Sequence, residues 1–151
     1  MRVLLGSGGL STPERVEAWK AAFDAFLGPV RRVLFVPWAL ADHDGYVEKL
    51  VARGFAAGRE VRSVHTARDP RRAVREAEAV FVGGGNTWRL LDRVQRAGLV
   101  PLLRARARAG MPYVGISAGT NLACPTIRTT NDMPIVEPRT ADALGLVPFQ
   151  V

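Results

Sequence analysis

The stretch Tyr113-Val-Gly-Ile-Ser-Ala-Gly-Thr-Asn121 carries a short apolar run straight into Gly115-Ile116-Ser117-Ala118-Gly119. G-x-S-x-G directly after a strand is the sequence form of a nucleophile elbow, in which a serine sits on a tight, strained turn before a helix. Small residues on both sides are needed there, because a side chain at either glycine would crowd the turn. A helix starting just past Ser117 would also bring its positive end toward developing negative charge. An ordinary strand-to-helix turn satisfies the same pattern, so the reading depends on what surrounds it.

Working outward, a second buried run ends in three glycines at Val80-Phe-Val-Gly-Gly-Gly-Asn-Thr-Trp88. Consecutive glycines let backbone N–H groups approach a ligand closely, as an anion cradle or an oxyanion hole. The spacing is not G-x-G-x-x-G, and no G-x-x-x-x-G-K-[ST] occurs, which disfavours nucleotide binding. Short apolar runs predict strands over Val3–Leu5, Arg32–Pro37, Glu60–Val64, Ala79–Val82 and Tyr113–Ile116. Helical patterns fall between them, over Thr12–Leu27, about Asp44–Ala57, Arg71–Glu76, Thr87–Ala97 and Val100–Ala109, with Gly58, Gly98 and Gly110 at the stops. Thr12 or Ser11 caps the first helix, and Val16, Trp19, Phe23 and Phe26 make its buried stripe. This alternation predicts α/β architecture: a three-layer sandwich around a mostly parallel sheet, with ligands expected outside the carboxyl ends of the strands. Three such ends carry unusual chemistry, at residues 37–46, 83–88 and 115–121.

Composition sets the class. A 151-residue chain, 48% apolar and 23% charged, is expected to form one soluble globular domain over residues 1–151, a single α/β domain by the pattern above and a hydrolytic one if Ser117 is a nucleophile. The net charge of +7 raises nucleic acid as a partner, but the basic residues are scattered over several helices with no aromatic residues interleaved as stacking platforms. No apolar run is long enough for a signal peptide or a membrane span, so a cytoplasmic location is expected. Cys124, the only cysteine, excludes an internal disulfide and reads as a small buried residue. No pair of histidines shares a helical face with a carboxylate, and neither a metal nor an organic cofactor is implied.

Phe81-Val-Gly-Gly-Gly-Asn-Thr87, Gly115-Ile-Ser-Ala-Gly-Thr-Asn121 and the long Pro125-Thr-Ile-Arg-Thr-Thr-Asn-Asp-Met-Pro-Ile-Val136 together resemble the peptidase E family of aspartyl dipeptidases. The likeness runs from the first strand to the closing Ala143–Phe149. It implies a fold like the class I glutamine amidotransferases, a Ser-His-Asp triad, and hydrolysis of dipeptides with N-terminal aspartate. Ser117 matches the family nucleophile and Asp132 the triad acid. Gly85 and Ala118 match the oxyanion-hole donors, and Asn86 a substrate-pocket position. Read from the residues alone, Asn131-Asp132-Met133-Pro134 is also an ordinary polar turn. Arg128 is the arginine nearest the motifs and a candidate reader of the substrate carboxylate, although spacing does not assign it.

A serine hydroxyl needs a base to take its proton. The family's histidine follows the stretch that matches residues 147–151, where this sequence ends, so the domain is expected to be incomplete at its C-terminus. His43, after the second strand, is a candidate substrate contact and a weaker candidate base. The bland alternative is a solvated loop histidine, with Asp44 capping the next helix. His65 reads as structural. Competing functions are a cyanophycinase-like peptidase and a non-catalytic relative that binds acidic peptides. The expected partner is a small Asp-Xaa peptide, with a homodimer left open and neither nucleic acid nor membrane implied.

Overall fold

The structure is a computed structural model that describes residues 1–56 and 58–151. Five strands, β1 (Val3–Gly6), β2 (Arg32–Val36), β3 (Glu60–Ser63), β4 (Ala79–Val82) and β5 (Tyr113–Ile116), pair in the order β1-β5-β4-β2-β3. Every pairing is parallel. Between them run α1 (Pro13–Leu27), α2 (His43–Ala52), α3 (Pro70–Glu76), α4 (Thr87–Arg96) and α5 (Val100–Arg108), and α6 (Ala118–Ala123) follows β5.

Strand alternation produces the layers, since successive side chains point to opposite faces. Leu34, Val36, Val80, Val82 and Tyr113 face one core with Leu90, Leu91 and Val94 of α4 and Leu103 of α5. Val33, Phe35, Ala79, Phe81, Val114 and Ile116 face the other, with Phe23 and Leu27 of α1 and Leu50 of α2. Phe23, Phe35, Phe55 and Phe81 stack there at centroid separations of 5.2–5.9 Å. β4 and β5 are buried on both faces, which is why they read as unbroken apolar runs rather than alternating ones.

The order of strands places the site. The chain crosses from β1 over to β2 and β3, then returns through β4 to β5. Helices after β1 and β2 therefore lie on one face, and those after β3, β4 and β5 on the other. The loops leaving β2 and β4 diverge, as do those leaving β1 and β5, and such points at the carboxyl edge are where ligands bind in open parallel sheets.

The predicted elements match closely except at α2. His43 is the first residue of that helix, not a loop residue, and its cap is Asp42, whose carboxylate accepts from Gly45 N–H at 2.9 Å. Asp44 instead reaches His65. The helix stops at Ala52 and Gly54 (φ 83°) follows, so Gly58 does not end it. The expected terminus at Ala57 lies outside the described residues. Cys124 is fully buried, with Sγ on the Thr120 carbonyl. No helix among the described residues is long and apolar enough to cross a membrane.

Candidate active site

Ser117 occupies φ 53°, ψ −110° and is the one non-glycine residue with positive φ among the described residues. Such a conformation persists only where the surroundings over-determine it. Here they do: Ser117 N–H donates to the Gly6 carbonyl on β1 at 2.8 Å, and the Ser117 carbonyl accepts from Thr120 and Asn121 N–H. Thr120 Oγ1 donates to Gly6 and Gly115 carbonyls at 2.8 and 2.9 Å. The buried Tyr113 phenol, kept neutral as burial drives its pKa well up, donates to the Gly119 carbonyl at 2.6 Å.

The two elbow glycines are required by packing. A Cβ on Gly119 would lie 2.2 Å from the Val82 carbonyl oxygen, and one on Gly115 2.5 Å from that of Gly119. No real Cβ tolerates either distance. Ser117 Oγ has no hydrogen-bond partner among the described residues, and the residue is partly exposed.

The glycine loop lies at the same edge of the sheet. A Cβ on Gly84 would sit 3.1 Å from Ser117 Cβ and 3.6 Å from its Oγ, so the loop passes directly over the elbow. Its amides are largely committed. Gly83 N–H donates to Val36, Gly84 N–H to the Tyr46 hydroxyl at 2.8 Å, and Asn86 N–H to Ala39. Among the described residues Gly85 N–H alone in this loop has no acceptor, and Ala118 N–H, next to the elbow serine, has none either. Buried or half-buried amides normally find partners. Unclaimed backbone N–H groups near a serine hydroxyl are the donors from which an oxyanion hole can be built.

Asp132 sits at the N-terminus of α4. One oxygen, Oδ2, accepts from Thr87 N–H (2.7 Å), Thr87 Oγ1 (2.5 Å) and Thr130 Oγ1 (3.0 Å). Trp88 Nε1 donates to the Asp132 carbonyl at 3.1 Å. Oδ1 makes no bond among the described residues, so the carboxylate is held rigidly by one oxygen and presents the other. The ordinary turn suggested by its neighbours is thus fastened onto the start of the helix that carries the glycine loop.

The remaining candidates are more dispersed. Asn86 caps α4 through Oδ1, which accepts from Arg89 N–H, and donates Nδ2 to the Met133 carbonyl at 2.8 Å. Its side chain is committed at both ends. Arg128 is exposed on the turn of residues 127–130, and no bond ties its guanidinium to the elbow. His43 packs against His65 with ring centroids 5.2 Å apart. Burial, then the nearby His65 and Arg93, hold its pKa below the ordinary histidine value, and its Nε2 is buried without a partner. His65 bridges Ser63 Oγ (2.5 Å) and Asp44 Oδ1 (2.9 Å), a structural arrangement. Neither histidine is bonded to Ser117.

Tyr46 escaped the sequence reading. It takes up the Gly84 amide and packs edge-on to Phe35 at 5.0 Å, so it shapes the glycine loop from behind. Nothing in its spacing marks it, since it looks like one more apolar helix residue. Thr87 and Thr130 were inside the quoted motifs but carry no pattern announcing that they grip a carboxylate.

Comparison with known proteins agrees with this fold. The family model described as Peptidase family S51 matches residues 3–151. Peptidase E of Streptomyces coelicolor is 54% identical over 126 residues, covering 83% of this chain and 52% of that protein. A Drosophila melanogaster protein named "Probable alpha-aspartyl dipeptidase" is 47% identical over 123 residues, covering 81% and 51%. A solved structure from Listeria monocytogenes EGD-e superposes with TM-score 0.70 at 27% identity over 87% of this chain and 71% of that one. The chain spans about half the length of the curated relatives it matches.

Proposed function

The chain belongs to peptidase family S51, and on that premise we propose that the whole protein hydrolyses dipeptides with N-terminal aspartate through an acyl-enzyme on Ser117. The observation that carries this is the pair of unclaimed amides, Gly85 and Ala118, at the same sheet edge as the unbonded Ser117 hydroxyl. In this mechanism Ser117 Oγ attacks the peptide carbonyl, and its carbonyl oxygen, now charged, takes the two N–H donors. The proton passes to a histidine and from it to the leaving amine, and Asp132 Oδ1 orients that histidine. Water then cleaves the ester. Since His43 and His65 have no bond to Ser117, this reading assigns the base to a histidine outside these 151 residues. Substrate preference is the family's, supported by relatives named for aspartyl dipeptidase activity. Asn86 and His43 remain proposed substrate contacts, supported by their positions after β4 and β2 at the carboxyl edge; Arg128 remains one on its place in the segment that leads to Asp132, which is bonded to the start of α4.

A panel of Asp-Xaa, Glu-Xaa and Ala-Xaa dipeptides, assayed with the whole protein, tests the proposal. Asp-Xaa should be cleaved preferentially; equal rates for Ala-Xaa would remove the specificity claim. For residues 1–151 by themselves, the lack of a histidine on Ser117 favours a second reading, binding of acidic peptides without turnover. Calorimetric titration with an Asp-Xaa dipeptide that shows no binding heat, or that releases free aspartate, would refute it.

A further inference from the structure

The amides of the glycine loop are held by a single segment, the end of β2 and the start of α2. Gly83 N–H donates to the Val36 carbonyl at 3.1 Å, and Asn86 N–H to the Ala39 carbonyl at 2.8 Å. Between them, Gly84 N–H donates to the Tyr46 hydroxyl at 2.8 Å. Each bond fixes the plane of one peptide. The two outer acceptors are backbone oxygens, present whatever the side chains are, so Tyr46 supplies the one side-chain acceptor to these amides. Its seat is tight. The ring packs edge-on to Phe35 with centroids 5.0 Å apart, and a Cβ on Gly83 would fall 2.6 Å from the hydroxyl oxygen and 2.7 Å from the nearest ring carbon. Burial pushes the phenol pKa up, so the acceptor is a neutral hydroxyl. Phenylalanine would fill the same apolar space; the hydroxyl is what tyrosine adds.

Glycine makes this grip consequential. Three successive residues without side chains leave φ and ψ nearly unrestricted, and Gly85 sits at φ 134°. With the Gly83 and Asn86 amides anchored, release of the Gly84 amide frees the two peptides between them to turn, and the Gly85 N–H turns with them. A Cβ on Gly84 would lie 3.1 Å from Ser117 Cβ, so the residue that Tyr46 grips is the one packed on the elbow. Oxyanion donors are effective when they are held in place before charge develops. We propose that Tyr46 is a positioning residue for the hydrolysis: by holding the Gly84 amide from behind, its hydroxyl keeps the Gly85 N–H aimed at the oxyanion beside Ser117. The inference rests on the peptidase reading above. Because Tyr46 acts through Gly85, its contribution belongs to the transition state, where the carbonyl oxygen becomes charged, and not to binding of the uncleaved peptide.

Steady-state kinetics of the whole protein on an Asp-Xaa dipeptide, with Tyr46→Phe and Ser117→Ala beside the parent, tests it. Tyr46→Phe keeps the ring on Phe35 and removes only the acceptor. We expect kcat to fall about tenfold or more while KM stays within about twofold. The rate at which an aspartyl phosphonate ester labels Ser117 should fall by a similar factor, since its phosphoryl oxygen calls on the same amide. A bond that merely supports the fold would instead lower the urea midpoint and leave kcat and the labelling rate at their parental values. That result, a loss confined to KM, or a Tyr46→Phe protein that far-UV circular dichroism shows to be unfolded would overturn the proposal. Ser117→Ala separates this role from the reading beneath it. If Ser117→Ala is inactive and Tyr46→Phe runs at the parental rate, the role of Tyr46 alone fails; if Ser117→Ala still cleaves Asp-Xaa, both fail.

Discussion

At the scale of single residues, Ser117 holds a backbone conformation that costs on the order of 1–3 kcal/mol for any residue with a side chain. The cost is separable from the hydroxyl. Ser117→Ala and Ser117→Gly both remove Oγ, but only glycine relaxes at φ 53°. We expect the glycine variant to be more stable than the alanine variant by about 1 kcal/mol in urea denaturation, with both inactive in the whole protein. Equal stabilities would mean that the elbow is not strained. His43 gives a pH signature. Its folded pKa is depressed by burial and by His65 and Arg93, so the unfolded chain binds its proton more readily. The neutral ring therefore contributes fully above the ordinary histidine value, and that contribution is lost as pH falls through and below it. Chemical denaturation at about pH 7.5 and about pH 5 should show less acid loss of stability in His43→Gln than in the parent chain; identical losses would contradict the assignment.

The elements meet at the elbow through contacts of backbone against backbone. Gly119→Ala drives a methyl into the Val82 carbonyl of β4, and neither partner can rotate away. A loss of about 3 kcal/mol or more is expected, read as a lower urea midpoint, far beyond the usual helix gain of alanine over glycine. A gain in stability would show that α6 is free to shift off the sheet. Most of this level was legible in the sequence. Apolar runs and glycine stops gave the strands almost to the residue, because β4 and β5 are buried on both faces and have sharp ends. α2 was misread at both ends because Asp42 and Asp44 are equally good caps by composition. Only the fold decides that Asp44 is drawn off to His65.

Across the whole molecule, function depends on strand order, which no local pattern encodes. That β5 lies beside β4 is what carries the glycine loop over Ser117, and it rests on crossovers between residues some thirty positions apart. The two motifs were each visible in the sequence, and so was the family resemblance. Their juxtaposition was not, nor was the assignment of loop amides, since Gly85 is left vacant only because Val36, Tyr46 and Ala39 take the others. The most direct measurement is peptide mapping by mass spectrometry after treating the whole protein with an aspartyl phosphonate ester, an electrophile whose phosphoryl oxygen imitates the tetrahedral oxyanion. A single adduct on the peptide carrying Ser117, absent from Ser117→Ala, is expected. Modification of any other serine, or equal labelling of Ser117→Ala, would contradict a nucleophile at the elbow.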